Sequence, residues 1–110
     1  MRRTIEQERA NFCLEKVKDF SRDKKFKTNG TRLAELIISN GLVPTLAFYK
    51  ARVERKPVYN ILNEWLKEQN YVTGDSFEEL INADVSKLRL ATMEALAFAQ
   101  WLKRIIEVEI

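Results

Sequence analysis

The segment DVSKLRLATMEALAFAQWLKRIIEVE, residues 84–109, lacks Gly and Pro, and the helix that it implies is apolar on most of its sides. At about 100° per residue, one broad face of the implied helix holds Leu88, Ala91, Ala95, Phe98, Ala99, Leu102, Ile105 and Ile106. The face extends through Leu90, Ala97, Trp101 and Val108, leaving a narrow polar wedge of Arg89, Gln100, Lys103, Arg104 and Glu107. Since surface helices usually carry a narrower apolar stripe, we expect other helices to surround this one. The sequence therefore predicts an all-α protein.

Length and composition predict one helical-bundle domain over residues 1–110. A chain of 110 residues can bury a hydrophobic core without disulfides or a metal ion. Three Gly and two Pro are few for a β-rich or linker-rich protein. Short turns between the predicted helices favour a compact antiparallel bundle of about six helices.

The chain carries no sign of secretion or of membrane insertion. Its first residues are charged and no apolar segment of a signal peptide follows them. No apolar run approaches the length of roughly 18 residues that a membrane span needs. The single cysteine, Cys13, fits a reducing compartment and is expected to pack as a small hydrophobic residue. We therefore expect a cytoplasmic protein without membrane contact.

Histidine is absent from the sequence. This removes the commonest general base and the commonest metal ligand. With one cysteine only, zinc sites and nucleophiles activated by histidine are excluded as well. We expect no enzymatic activity, no cofactor, no metal and no small-molecule substrate.

Charge is distributed unevenly along the chain. Residues 1–56 contain 14 Lys and Arg against 7 Asp and Glu, a net charge of +7, whereas residues 57–110 contain 5 against 9, a net charge of −4. This division indicates one basic surface for a polyanion and one acidic surface for a different partner, such as another protein. The alternative is that the charges belong to ordinary solvated helix faces.

Apolar periodicity, Pro and Gly predict five further helices. Their expected ranges are 3–22, 31–40, 43–55, 57–70 and 76–81, with loops at 23–30 and 70–74. The first should bury Ile5, Phe12, Cys13, Val17 and Phe20, and the second Leu33, Leu36, Ile37 and Ile38. The third should bury Leu46, Ala47 and Ala51, and the fourth Val58, Ile61, Leu62, Trp65 and Leu66.

Capping residues are expected to mark the starts of the last two helices. Ser76 and Glu79 fit a capping box, in which Ser76 caps the fifth helix and Glu79 reaches back. Glu78 and Glu79 could instead be metal ligands, but negative charge in a first helical turn favours capping. Asp84 or Ser86 is expected to cap the sixth helix.

Phe26 lies within the basic run 23–30, and its sequence context allows two interpretations. The ring could stack on a nucleobase while the neighbouring lysines contact phosphates. Alternatively, Phe26 points into the core and the lysines stay in water. We favour the core position and keep the lysines as candidates for phosphate contact.

Glu94 is expected to form a structural ion pair. It lies about 20° around the sixth helix from Trp101, on the apolar side. A buried carboxylate without a partner is costly, so we expect an arginine from another helix to pair with it. The candidate partners are Arg9, Arg32, Arg52 and Arg55.

Two segments of the chain resemble a known protein family. One is LIISNGLVPTLAFYK, residues 36–50, and the other is LRLATMEALAFAQWLKR, residues 88–104. Their order and spacing, with the basic-aromatic Lys25-Phe26-Lys27 ahead of them, resemble the small helical subunit of the Cmr, type III-B, CRISPR effector complex. The resemblance covers residues 24–104.

The resemblance implies a non-catalytic, RNA-binding scaffold subunit of an antiviral ribonucleoprotein. Its implied partners are other Cmr subunits, further copies of itself, and the duplex of guide RNA and target RNA, whose channel it would line. RNA cutting would then belong to a neighbouring subunit. The candidates for RNA contact are Lys24, Lys25, Lys27, Arg32, Lys50, Arg52, Arg55, Lys56, Arg89, Lys103 and Arg104.

Two alternatives remain at this point. The first is a protein-only adaptor whose acidic and basic faces join subunits without touching RNA. The second is a helix-turn-helix DNA-binding protein, because Asn40-Gly41 lies between two short helices. The bulky Ile37, four residues before Gly41, argues against the second alternative, because the two helices would close on each other there.

Overall fold

The computed structural model describes residues 2–110. Six α-helices follow one another: α1 (Ile5–Val17), α2 (Lys24–Asn40), α3 (Leu42–Lys50), α4 (Lys56–Glu68), α5 (Ser76–Leu80) and α6 (Val85–Glu109). A 3-10 turn, Lys18–Phe20, follows α1, and no strand occurs among the described residues. The expected all-α bundle is therefore confirmed. None of the helices in residues 2–110 combines the length and the apolar character that a membrane span requires.

Helix α6 supplies the centre of the core. Its residues Ala91, Ala95, Phe98, Ala99, Leu102 and Ile106 have no solvent exposure, and α1, α2 and α4 pack against it. The expectation that helices surround α6 is only partly right, because Leu90 and Val108 are exposed. Both lie about 115° around the helix from the centre of the buried face, beyond the reach of those three neighbours.

Helix α2 begins seven residues earlier than predicted, so residues 24–30 are helical and not a loop. Asp23 is the cap, since its carboxylate accepts a 3.0 Å hydrogen bond from the backbone N–H of Phe26. The Phe26 ring is buried and stacks on Phe20 with ring centroids 4.3 Å apart. The interpretation of Phe26 as a core residue is thus confirmed.

Gly30 lies inside α2, where it allows close contact with α6. A Cβ atom at this position would overlap Cδ1 of Ile106 and touch Leu102. Because Ile106 is fully buried, its side chain has little room to move away. A residue that the sequence places in a loop is therefore a packing residue between two helices.

Several helix ends and buried faces differ from expectation. Helix α1 ends at Val17 and α3 ends at Lys50, since residues 51–55 form turns before α4. Ile5, Ile38 and Ala51 are exposed, and Phe20, Leu36 and Ala47 are half-buried. Their spacing is helical, but they lie beside the contact with neighbouring helices and not on it. In α4 the expected core positions are confirmed as buried: Val58, Ile61, Leu62, Trp65 and Leu66.

Asp75, and not Ser76, caps α5. Its carboxylate accepts a 3.0 Å hydrogen bond from the backbone N–H of Glu78, whereas the buried Ser76 hydroxyl has no partner among the described residues. Glu79 does reach back, but it accepts from the backbone N–H groups of Thr73 and Gly74. The cap lies one residue earlier than predicted because Asp75 also has the extended backbone that a cap requires. Asp84 caps α6 by accepting from Lys87, as expected.

Three helices meet at the carboxylate of Glu94, which is 8 % exposed. Arg9 on α1 donates from Nε to Oε2 at 2.7 Å and from Nη2 to Oε1 at 2.9 Å. The indole N–H of Trp65 on α4 donates to Oε2 at 2.9 Å. A forked arginine and an indole therefore satisfy the charge that α6 carries into the interior. Of the four arginines considered from the sequence, Arg9 is the partner.

Replacing Glu94 with alanine should destabilise the protein by about 3 kcal/mol, because Arg9 and Trp65 would keep buried donors without an acceptor. The melting temperature should fall by roughly 13 °C. The matched control is Glu64→Ala, which removes a more exposed ion pair with Lys16 at 3.0 Å and should change stability by less than about 1 kcal/mol. Equal melting temperatures for the two variants would contradict a stabilising buried ion pair at Glu94.

The contribution of Glu94 should also depend on pH. Burial raises the pKa of Glu94, but the hydrogen bonds from Arg9 and Trp65 outweigh burial and hold that pKa below its ordinary value. Such a group stabilises the fold above its unfolded pKa of about 4.3 and loses this effect as pH falls through the lower folded value. Urea unfolding should show a stability gap between wild type and Glu94→Gln that is constant down to about pH 5 and shrinks below about pH 4. If the stability gap is the same above about pH 5 and below about pH 4, the carboxylate charge is not its cause.

Candidate nucleic-acid interface

The outer face of α2 carries a cluster of cations. Lys24, Lys25 and Arg32 are exposed and share one side of the helix, because their positions fall within about 100° of one another. They line a groove of about 390 Å³ between α2 and the turns that join α3 to α4. We call this the basic groove; its walls are Lys24, Lys25, Thr28, Asn29, Arg32, Phe48, Glu54 and Arg55.

Hydrogen bonds between helices fix the walls of the basic groove. The hydroxyl of Tyr49 on α3 donates to the carbonyl of Asn29 on α2 at 2.6 Å. The Asn29 amide donates in turn to the carbonyl of Glu54 at 3.2 Å. Tyr49 is buried, and burial raises its pKa to about 12, so its hydroxyl stays a donor at neutral pH. The cations on α2 are therefore held at a defined distance from residues 51–55.

Arg55 is held over an aromatic ring at the edge of the basic groove. Its guanidinium carbon lies 3.7 Å from the centroid of the Phe48 ring, and Nη1 donates to the Phe48 carbonyl at 3.0 Å. A guanidinium carries five N–H donors, so most of them stay free for a phosphate. Arg55 thus combines a fixed position with unused hydrogen-bonding capacity.

Lys50 lies in a different, acidic environment. Its Nζ donates to Oδ2 of Asp75 at 2.9 Å and lies 3.5 Å from Oε1 of Glu78. The hydrogen bond to Asp75 raises the pKa of Lys50. Tyr59 completes the cluster by donating to Oδ1 of Asp75 at 2.7 Å and accepting from the backbone N–H of Phe77. Lys50 therefore joins α3 to the start of α5 and faces two carboxylates.

The remaining candidates lie outside the basic groove. Lys27, Arg52 and Lys56 are exposed but do not line it. Lys103 and Arg104 line a groove between α2 and α6 together with Glu35 and Glu107, so charge there is mixed. Arg89 is exposed near the start of α6. The structure thus brings together four of the eleven predicted residues, namely Lys24, Lys25, Arg32 and Arg55.

Sequence reasoning missed Phe48 and Asn29 as parts of the site. Phe48 belongs to the apolar run of α3, where nothing marks it as a binding residue, and Asn29 falls in the predicted loop. The Phe48 ring contacts Arg55 only because the chain turns sharply after Lys50, and no residue spacing in the sequence predicts that turn. The basic character of the region is visible in the sequence, whereas its concave shape is not.

Comparisons with known proteins agree with this architecture. A family model described as CRISPR-associated protein (Cas_Cmr5) matches residues 5–109. Among solved structures, the crystal structure of a CRISPR-associated Cmr5 family protein from Thermus thermophilus is similar, with a TM-score of 0.84. The two chains are 26 % identical, and the alignment covers 99 % of each.

The two environments of Lys50 and Lys24 lead to opposite expectations for their variants. Lys50→Met should lower the melting temperature, because Asp75 loses its cation, and should leave the salt dependence of RNA binding unchanged. Lys24→Met should leave the melting temperature unchanged and reduce the slope of log affinity against log salt by about 0.7, the contribution of one phosphate on a single strand. Calorimetry and titration with oligouridine measure the two quantities. The reverse pattern would place the phosphate contact at Lys50.

Proposed function

Because the chain belongs to the Cmr5 family of CRISPR-associated proteins, we propose that it is a non-catalytic RNA-binding scaffold subunit of a type III-B Cmr ribonucleoprotein. In this role it lines the channel in which target RNA pairs with guide RNA, inside the cytoplasm, as part of antiviral defence. RNA cutting belongs to a neighbouring subunit. The observation that carries the RNA-binding part of the proposal is the basic groove.

The chemistry of the basic groove suits a phosphate backbone. Its four cations, Lys24, Lys25, Arg32 and Arg55, lie on two elements held together by the hydrogen bonds of Tyr49 and Asn29. Lysine and arginine displace counterions from RNA, so binding of this kind is sensitive to salt and tolerant of sequence. Such contact fits a complex in which base pairing between two RNA strands supplies the sequence specificity.

Other surfaces support contacts with further subunits, including copies of this chain. Leu90 and Met93 expose apolar side chains one helical turn apart on the outer side of α6, and adjacent exposed apolar groups favour protein contacts. The carboxylates of Asp75 and Glu78 form an acidic cluster that does not line the basic groove. Opposite charges on separate surfaces suit head-to-tail stacking of identical subunits.

Reversing three charges of the basic groove tests the proposal. The variant Lys24→Glu/Lys25→Glu/Arg32→Glu should lose at least tenfold in affinity for single-stranded RNA, and its salt slope should flatten by about 2. The matched control Lys18→Glu/Lys67→Glu/Lys87→Glu changes the net charge equally at exposed positions outside the groove.

Fluorescence anisotropy with labelled RNA at several salt concentrations measures both quantities. The control variant should keep more of the affinity and a steeper slope than the groove variant. If the two variants weaken binding equally, net charge and not the basic groove is responsible. If wild type shows no RNA binding, alone or in the assembled complex, the protein-only adaptor becomes the better account.

A further inference from the structure

A second groove adjoins the basic groove between α2 and α3. It is lined by Arg32, Leu36, Asn40, Pro44, Thr45 and Phe48, and we call it the α2–α3 groove. Arg32 and Phe48 line both grooves, so the two grooves are neighbours that meet at these side chains. Four of the eight residues that line the basic groove are cations, whereas three of the six that line the α2–α3 groove, Leu36, Pro44 and Phe48, are apolar.

The lining of the α2–α3 groove matches the chemistry of a nucleobase, which has apolar faces and a hydrogen-bonding edge. Phe48 is half-buried and offers a ring for stacking, and Leu36 and Pro44 provide apolar contacts. The exposed amide of Asn40 carries both a donor and an acceptor. Arg55 covers the Phe48 ring but lines only the basic groove, so a ligand in the α2–α3 groove meets the ring without displacing the guanidinium.

We propose that the α2–α3 groove binds one unpaired nucleobase of an RNA strand whose phosphates lie in the basic groove. This inference rests on the proposed function and adds a base contact to it. Bases inside a duplex are stacked and paired, and therefore cannot enter a side groove. The bound segment is thus a single strand, or a nucleotide turned out of a duplex. Stacking on an aromatic ring accepts any base, so the contact adds affinity without reading sequence.

Other pairs of an aromatic ring and a cation in the described chain lack this combination. Phe77 lies 5.5 Å from the Lys50 ammonium, but Asp75 and Glu78 surround that cation and would repel a phosphate. Trp101 lies 5.2 Å from the Arg104 guanidinium, but two carboxylates balance the two cations of the groove that Arg104 lines. In the basic groove, by contrast, four cations stand against one carboxylate, Glu54. Phe48 is the ring that adjoins four cations which line a common groove.

Abasic RNA separates base contacts from phosphate contacts. The full chain is titrated with oligouridine of about 15 nucleotides, close to the longest site of a single-strand-binding fold, and with a strand of equal length and charge whose central bases are missing. Wild type should bind the base-bearing strand about tenfold more tightly, as expected for stacking of about one base. Phe48→Leu keeps an apolar side chain for the fold but loses the stacking ring, and should bind both strands alike. Its salt slope should stay close to that of wild type, because the backbone carbonyl of residue 48 still accepts from Arg55.

Phe77→Ala is the matched control, since it removes a half-buried ring beside a cation outside the α2–α3 groove. It should discriminate between the strands as wild type does. Equal binding of both strands by wild type would overturn the base contact and leave phosphate binding intact. Discrimination that survives in Phe48→Leu would also overturn it, by placing the base elsewhere. Absence of binding to both strands would overturn the base contact and the RNA-binding function together.

Discussion

The buried carboxylate of Glu94 constrains the whole bundle. Helix α6 carries this charge into the interior, where it must be hydrogen-bonded to be tolerated. Arg9 and Trp65 meet it from α1 and α4, and these bonds fix the positions of both helices around α6. On another side of α6, Gly30 permits α2 to approach Ile106 closely. With α1, α2 and α4 placed in this way, the outer face of α2 is turned to solvent, and the basic groove lies on that face.

The lysine and arginine side chains discussed above have two separate roles in this molecule. Arg9 and Lys50 are engaged by carboxylates and join helices, whereas Lys24, Lys25, Arg32 and Arg55 line the basic groove. The net charge of +7 in residues 1–56 counts all of them equally. Overall charge therefore indicates that a polyanion is a suitable partner, but only the positions of neighbouring carboxylates show which cations are available to it.

The sequence predicts the parts of the fold that depend on local patterns. The core positions of α4, the central α6 and the cap at Asp84 follow from periodicity and from side chains that bond nearby backbone. The predicted start of α2 is wrong because basic residues and Gly30 resemble a loop, whereas the Asp23 cap and the packing of Gly30 on Ile106 make a helix there. The apolar pattern predicts that neighbouring helices cover the outer stripe of α6. Whether they do depends on how many helices reach that side, and periodicity does not predict this number.

The candidate site is predictable in composition and unpredictable in shape. Lysines and arginines can be read directly from the chain, and four of those predicted do line one groove. Which of them converge depends on the sharp turn after α3, which brings Arg55 onto Phe48, and on the hydrogen bond from Tyr49 to Asn29. These two contacts join residues that are separated by 7 and by 20 positions in the sequence. No local sequence pattern determines how the elements that carry them are oriented.

Ultraviolet cross-linking tests the claim that the basic groove contacts RNA. The ribonucleoprotein would be purified through a tag on this chain, irradiated, digested, and analysed by mass spectrometry for peptides that carry a nucleotide. We predict nucleotide attachment within residues 24–36 and 48–56, the two segments that form the groove walls. Attachment to other subunits with none on these segments, in a complex that contains this chain, would contradict the claim.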